Sequence, residues 1–168
     1  MSINESLFRE IEAFIYREAE LLDNHQHGEW LELWDEQASY RMPVRVTHTK
    51  RQHDQEFQEN FGHFDETKEM LGMRVKRLST STAWAEDPQS RTRHFVTNLR
   101  INELDNGQYE LKTNLMLYRN RSDNAGHDIL SAERHDTLHK VEGEWRILKR
   151  VIYMDQATLG TLNLSIFL

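Results

Sequence analysis

Cysteine is absent from the 168 residues, and there are only two prolines and seven glycines. Without cysteine there can be no disulfide, thiolate zinc site, cysteine-ligated iron–sulfur cluster or thiol nucleophile. The shortage of Pro and Gly leaves little room for linkers or low-complexity tracts. No apolar run approaches the ~18 residues of a membrane-spanning helix, so no membrane role is expected. The opening stretch, Met1–Glu12, is acidic and lacks a basic region followed by an apolar one. It does not read as a secretory signal, and the expected compartment is the cytoplasm. Positive charge is also in deficit. Lys and Arg number 21 against 28 Asp and Glu, for a net charge of -7, which argues against a nucleic-acid partner. There is no glycine-rich phosphate loop, no Gly-x-Ser-x-Gly elbow and no His-Glu-x-x-His. The length suits one domain, 1–168, long enough to bury a core of its own.

What is present is concentrated in the last third. Tyr109–Arg121 alternates, with Tyr109, Leu111, Thr113, Leu115 and Leu117 on one side. Ile129–Val141 alternates more weakly through Leu130, Ala132 and Leu138. Trp145–Tyr153 puts Trp145, Ile147, Val151 and Tyr153 on one side, with Lys149 as an exception. Period two is the strand signature, because successive side chains point to opposite faces. The joints Asn106-Gly107, Asn124-Ala125-Gly126 and Glu142-Gly143 carry residues that accept the positive φ of tight hairpins. With His94–Glu103 added, four strands form an antiparallel meander.

The earlier segments must pack on it. Asn4 can cap a helix over 5–22, whose apolar stripe runs through Leu7, Ile11, Phe14, Ile15, Leu21 and Leu22. A short helix follows over 28–34. A strand over 38–42, extending towards Val46, should lie at an edge or end at Pro43, which cannot donate to a ladder. Residues 47–64 read as a long polar surface loop. A helix is expected over 65–78, weakened at Gly72, and an irregular connection over 84–93. The tail, 155–168, ends in an apolar stretch that should dock either on this chain or on another. Helices followed by a meander give an α+β fold, a curved antiparallel sheet wrapped around N-terminal helices. That is the cone of the nuclear-transport-factor-like, or cystatin-like, superfold, which houses both enzymes and assembly modules.

Two chemistries deserve weighing. Nine histidines invite a metal site, but His135 and His139, four apart on a strand, stand roughly 13 Å apart. The pair His25 and His27, with Glu29 near, makes no recognised ligand spacing. The expectation is no metal and no cofactor in this chain. A cone-fold isomerase or dehydratase would instead use a base and facing donors. Tyr16, Asp35, Tyr40, His94, Tyr118 and Asp136 could play those parts, and all are equally explained as strand-face residues.

Longer stretches are more specific. Glu18-Ala19-Glu20-Leu21-Leu22-Asp23, Glu29-Trp30-Leu31 and Tyr40-Arg41-Met42-Pro43-Val44-Arg45 resemble the opening of the β (small) subunit of aromatic-ring-hydroxylating dioxygenases. Arg74-Val75-Lys76-Arg77-Leu78, Ala83-Trp84-Ala85-Glu86-Asp87-Pro88 and Ser90-Arg91-Thr92-Arg93-His94-Phe95-Val96-Thr97-Asn98 continue the likeness. So do Asp155-Gln156-Ala157-Thr158-Leu159 and Asn163-Leu164-Ser165-Ile166-Phe167. The likeness is greatest to the biphenyl, benzene and phenylpropionate branch. It implies a non-catalytic subunit that trimerises and carries three α subunits. Those would hold a Rieske [2Fe-2S] cluster and a mononuclear Fe(II), fed from NADH through a reductase and a ferredoxin. It also implies no catalytic, cofactor-binding or metal residues here. The interface would draw on Trp84, Arg91, Arg93, Asp155, Gln156, Asn163 and Phe167.

Overall fold

The computed structural model describes residues 3–46, 57–80, 89–121, 125–156 and 166–168. Helix α1 spans Glu5–Asp23, and the Asn4 side chain accepts from the Leu7 N–H at 2.8 Å, as a cap should. Helix α2 is shorter than expected, His27–Glu32, because Trp34 already belongs to strand β1, Trp34–Arg45. Strand β2, Phe57–Thr67, takes up much of the segment read as a loop. Its sequence lacks alternation, and backbone pairing with β1 sustains it instead. Helix α3 starts only at Lys68 and runs to Leu78, with Thr67 rather than an earlier residue as its cap. The meander follows as β3, Ser90–Glu103, β4, Tyr109–Arg121, β5, His127–Val141, and β6, Glu144–Met154. Strand β3 therefore begins inside the stretch expected to be irregular.

The sheet order is β2-β1-β6-β5-β4-β3. β1 runs parallel to β6, and every other pairing is antiparallel. So β1 is an interior strand that runs past Pro43 to Arg45, a correction to the expectation that it lies at an edge or ends at Pro43. The ladder accommodates the proline locally. Pairing with β6 ends at Arg41, and the register with β2 shifts on both sides of Pro43, opposite Gly62. A Cβ at Gly62 would lie 2.9 Å from the Met42 carbonyl oxygen and 3.0 Å from that of Phe64. Only glycine lets the backbones come that close.

Two bulges set which residues face inward. Thr137 pairs with Lys149 but Leu138 with Ile147, so Leu148 is an extra residue in β6. The inward set is therefore Trp145, Ile147, Arg150, Ile152 and Met154, whereas Val151 and Tyr153 take the other face. Uninterrupted alternation from Trp145 to Tyr153 predicted the opposite for the second half. In β3 the extra residue falls at Asn98–Leu99, with Asn98 at φ 55°. The β5–β6 hairpin turns through Glu142 and Gly143, both at positive φ, as the sequence indicated. Of the Asn124-Ala125-Gly126 joint, Asn124 lies outside the described residues.

α1 packs on β3 at one end of the sheet, α3 packs on β1 and β2 at the other, and α2 touches both helices. A sheet with both ends against one small helical layer has to curl round it, which is the cone. Ile11, Ile15, Trp30, Trp34, Leu71, Leu117, Leu130 and Ile147 fill the interior, each large side chain worth roughly 1.5–3 kcal/mol on full burial. Among the described residues no helix is long and apolar enough to cross a membrane.

Candidate functional site: the interior of the cone

An acidic residue interrupts the apolar stripe of α1. Ile11, Ile15, Glu18 and Leu22 follow at helical spacing, so Glu18 is carried into the core with its neighbours. There it meets Arg150 of β6, whose guanidinium donates to both carboxylate oxygens at 2.6 and 2.9 Å. The same guanidinium donates to Asp136 of β5 at 2.7 and 2.8 Å. Arg134 reaches Glu18 at 3.4 Å, and the Trp30 indole N–H donates to it at 3.1 Å. Two carboxylates thus balance two guanidiniums, all of them buried.

The electrostatics follow from that closure. Burial by itself would raise the Glu18 carboxyl, but the charges of Arg150 and Arg134 and the donated hydrogen bonds hold it down to about 2. Burial would lower Arg150, yet the Asp136 and Glu18 carboxylates raise it well above the ordinary guanidinium value. Arg134 is lowered, by burial first and the Arg150 charge second. It remains a cation because a guanidinium starts so basic. Among the described residues, Arg134 Nε, Trp34 Nε1 and Thr113 Oγ1 are buried without a hydrogen-bond partner.

Over this cluster lies the segment Ile166–Leu168, buried and non-strand. Arg74 donates to the Ile166 carbonyl at 3.1 Å, His94 Nε2 lies 2.9 Å from that of Phe167, and Arg150 donates to that of Leu168 at 3.1 Å. The Leu168 N–H donates to the Tyr40 hydroxyl at 3.0 Å. The Phe167 ring packs on Trp30 at 4.2 Å between centroids, with the Arg74 guanidinium 4.4 Å away. His94 Nδ1 stands 2.6 Å from the Asp23 carboxylate. Burial would raise Asp23, but the hydrogen bonds and charge of His94 outweigh it and leave the carboxyl below its ordinary range. Asp23–His94 has the layout of a general-base pair. A carbonyl can only accept, however, so Nε2 must donate to Phe167 and has no lone pair to offer a substrate. Beside the Phe167 ring, between Leu22, Thr92 and His94, is a cavity of about 20 Å³, room for one water molecule at most, and an open surface groove of about 810 Å³ runs between α1 and β3 past Asp23, Arg93 and His94.

The structure therefore sorts the candidate enzyme residues. Tyr40, His94 and Asp136 converge on the interior, directly or through Arg150, and each has a partner from its own chain. Tyr16 and Tyr118 are exposed, and Asp35 pairs with His139 at 2.8 Å on another part of the surface. His135 pairs with Glu133, and among the described residues no three His, Asp or Glu side chains cluster as metal ligands. Of the expected interface residues, Arg91 and Arg93 are exposed on β3. Asp155 and Gln156 bind back onto β5, Asp155 accepting from Ser131 at 2.6 Å and Gln156 donating to the Ile129 carbonyl at 2.9 Å. Phe167 is a core residue of its own subunit. Trp84 and Asn163 lie outside the described residues. Glu18, Asp23, Arg134 and Arg150 were not singled out from the sequence as site residues. Glu18 had a signal there, a charge in phase with Ile11, Ile15 and Leu22.

Comparison with known proteins agrees with this geometry. Residues 17–161 match the family model described as "Ring hydroxylating beta subunit". The chain is 36% identical to the biphenyl 2,3-dioxygenase subunit beta of Rhodococcus jostii (strain RHA1), over 98% of this chain and 90% of that one. It is 37% identical to the benzene 1,2-dioxygenase subunit beta of Pseudomonas putida, over 96% and 88% respectively. Among solved structures, a chain of naphthalene 1,2-dioxygenase with indole bound in its active site superposes with a TM-score of 0.87 at 25% identity, covering 99% of this chain and 88% of that one. The filled cone, the family model and the near full-length relatives lead to one conclusion: the chain belongs to the ring-hydroxylating β-subunit family.

Proposed function

We propose that this β subunit is the non-catalytic, structural subunit of the terminal oxygenase of an aromatic-ring dioxygenase. The whole enzyme would convert aromatic hydrocarbons to cis-dihydrodiols with electrons from NADH, in the cytoplasm. The observation that carries this reading is the occupied interior. In a cone-fold enzyme that space would hold substrate, whereas here Glu18, Asp136, Arg150 and His94 are paired with one another or with Ile166–Leu168. The implied Rieske cluster does not fit this chain. A Rieske cluster needs two cysteines and two histidines, and cysteine is absent. The cluster and the mononuclear iron belong, on this reading, to a partner α subunit, and ferredoxin and reductase act through it.

The assembly would be three β and three α subunits, held by buried area and rim charges. The outward face of the sheet supports an interface. Phe95 pairs with Met116, and Tyr118 with Ile129, on neighbouring strands, and all four are exposed. Arg91 and Arg93 stand on the same face of β3. The test is the mass of the purified full chain by light scattering, alone and with its α subunit, together with metal analysis. The expected result is an oligomer without iron, which forms a larger complex with α. A stable monomer at micromolar concentration that carries stoichiometric iron would overturn the reading.

A further inference from the structure

Separately from the subunit role, the interior reads as a receptor whose ligand is covalently attached. Three successive backbone oxygens, of Ile166, Phe167 and Leu168, are each met by a cationic or imidazole side chain from a different element: Arg74 of α3, His94 of β3 and Arg150 of β6. Each of the three already has a carboxylate of its own. Arg74 pairs with Glu66 at 2.6 Å, His94 with Asp23 at 2.6 Å, and Arg150 with Glu18 and Asp136. What they offer the segment is thus N–H donors, with the charge already compensated. Between the donors, Trp30 and Arg74 form a slot for one aromatic ring, which Phe167 fills. Arg74 and Trp30 meet both faces of the recognition problem, one through donor and cation–π contact, the other through stacking.

We infer that the cone interior is a binding site for a peptide ligand with an aromatic side chain flanked by backbone acceptor oxygens, and that Ile166–Leu168 occupies it in cis. The three elements that carry the donors also pack away from the segment: β3 under α1, α3 on β1 and β2, and β6 between β1 and β5. Removing Ile166–Leu168 vacates the slot and leaves the donors of Arg74, His94 and Arg150 without those acceptors. A peptide supplied in trans restores them.

The test uses the full chain lacking only residues 166–168, with N-acetyl-Ile-Phe-Leu as the probe, as the free acid and as the amide, and N-acetyl-Ile-Ala-Leu in the same two forms as the control. Binding is followed by tryptophan fluorescence, since the ring stacks on Trp30, and by thermal unfolding. The Phe peptide is expected to bind saturably and to raise Tm by about 3–6 °C at tenfold excess over its Kd. The Ala peptide should bind at least tenfold more weakly, and the unaltered chain should bind neither. Equal binding of both peptides, or none to a folded truncated chain, overturns the inference. If the truncated chain does not fold, Phe167→Gly in the full chain replaces it, with toluene as the aryl probe. A Tm rise with toluene confined to that variant supports the site, and the same response in the unaltered chain, or none in either, overturns it.

Discussion

Strand β5 carries two regions of opposite character one residue apart. Arg134 and Asp136 point inward, with side chains 1% and 3% exposed, and are locked into the Glu18–Arg150 cluster. Glu133 and His135 point outward, 42% and 25% exposed, and pair with each other, Glu133 also with Arg100. The residue types are alike. Parity alone decides whether a charge organises the fold or decorates a surface available to a partner. The inward set could not be left half-made, because an unpaired buried charge costs several kcal/mol. The outward set can be altered at little cost to the fold, which is what a surface free to specialise for assembly requires.

The largest test of that contrast is to break the interior. Glu18→Ala leaves Arg134 and Arg150 with Asp136 as their one remaining carboxylate, and is expected to cost about 3–5 kcal/mol in urea unfolding. Replacing all four members together, Glu18→Met, Arg134→Leu, Asp136→Leu and Arg150→Met, should cost far less than the single change, because no charge is then left unpaired. If the single variant lost under 1 kcal/mol, the cluster would not be organising the core.

Acid should weaken the interior next. The folded Glu18 carboxyl is lowered to about 2 from an ordinary 4.5. A depressed carboxyl contributes stability that is fully present above its unfolded value and is lost as the pH falls towards the folded one. The window is therefore from about 4.5 down to about 2, and the shift corresponds to roughly 3 kcal/mol. Asp23 and Asp35 are lowered as well and add in the same direction. Urea midpoints measured from pH 6 to pH 2 should fall through that window. Glu18→Gln should flatten the fall relative to the unaltered chain, and an unchanged slope would count against Glu18.

How much of this was legible beforehand follows the physics of each signal. Strands β4 and β5 could be read because alternation and turn residues are local properties, and α1 because Asn4 and its apolar stripe are. β2 could not, because a polar strand held by backbone pairing leaves no pattern in its side chains. The inward position of Arg150 was hidden by the bulge at Leu148, since one extra residue reverses parity from that point on. Pro43 misled because a proline excludes a ladder bond at one residue, not a strand. The His94–Phe167 contact spans 73 positions, and no periodicity carries information over that distance. Gly72, expected only to weaken α3, faces Leu31 of α2, whose Cδ2 would lie 3.4 Å from an added Cβ. That is close packing between helices, invisible in the α3 sequence alone.

The smallest expected effect lies on the outward face. Arg100 donates to Glu133 at 3.1 Å, with side chains 55% and 42% exposed. The Glu133 carboxyl is lowered, first by the hydrogen bond with His135 and, against burial, by that from Arg100. Water screens a pair this open, and two long side chains lose rotamer freedom to hold it. A double-mutant cycle with Arg100→Ala and Glu133→Ala in the full chain should therefore return a coupling of about 0.2–1 kcal/mol at low salt. Raising the salt to about 1 M shortens the screening length to about 3 Å and should remove most of it. The buried Glu18–Arg150 pair, measured in the same way, should keep its coupling in salt, because no counter-ion reaches it. A coupling above about 2 kcal/mol for Arg100–Glu133, or one insensitive to salt, would show that the outward face is as structural as the interior, and the contrast along β5 would fail.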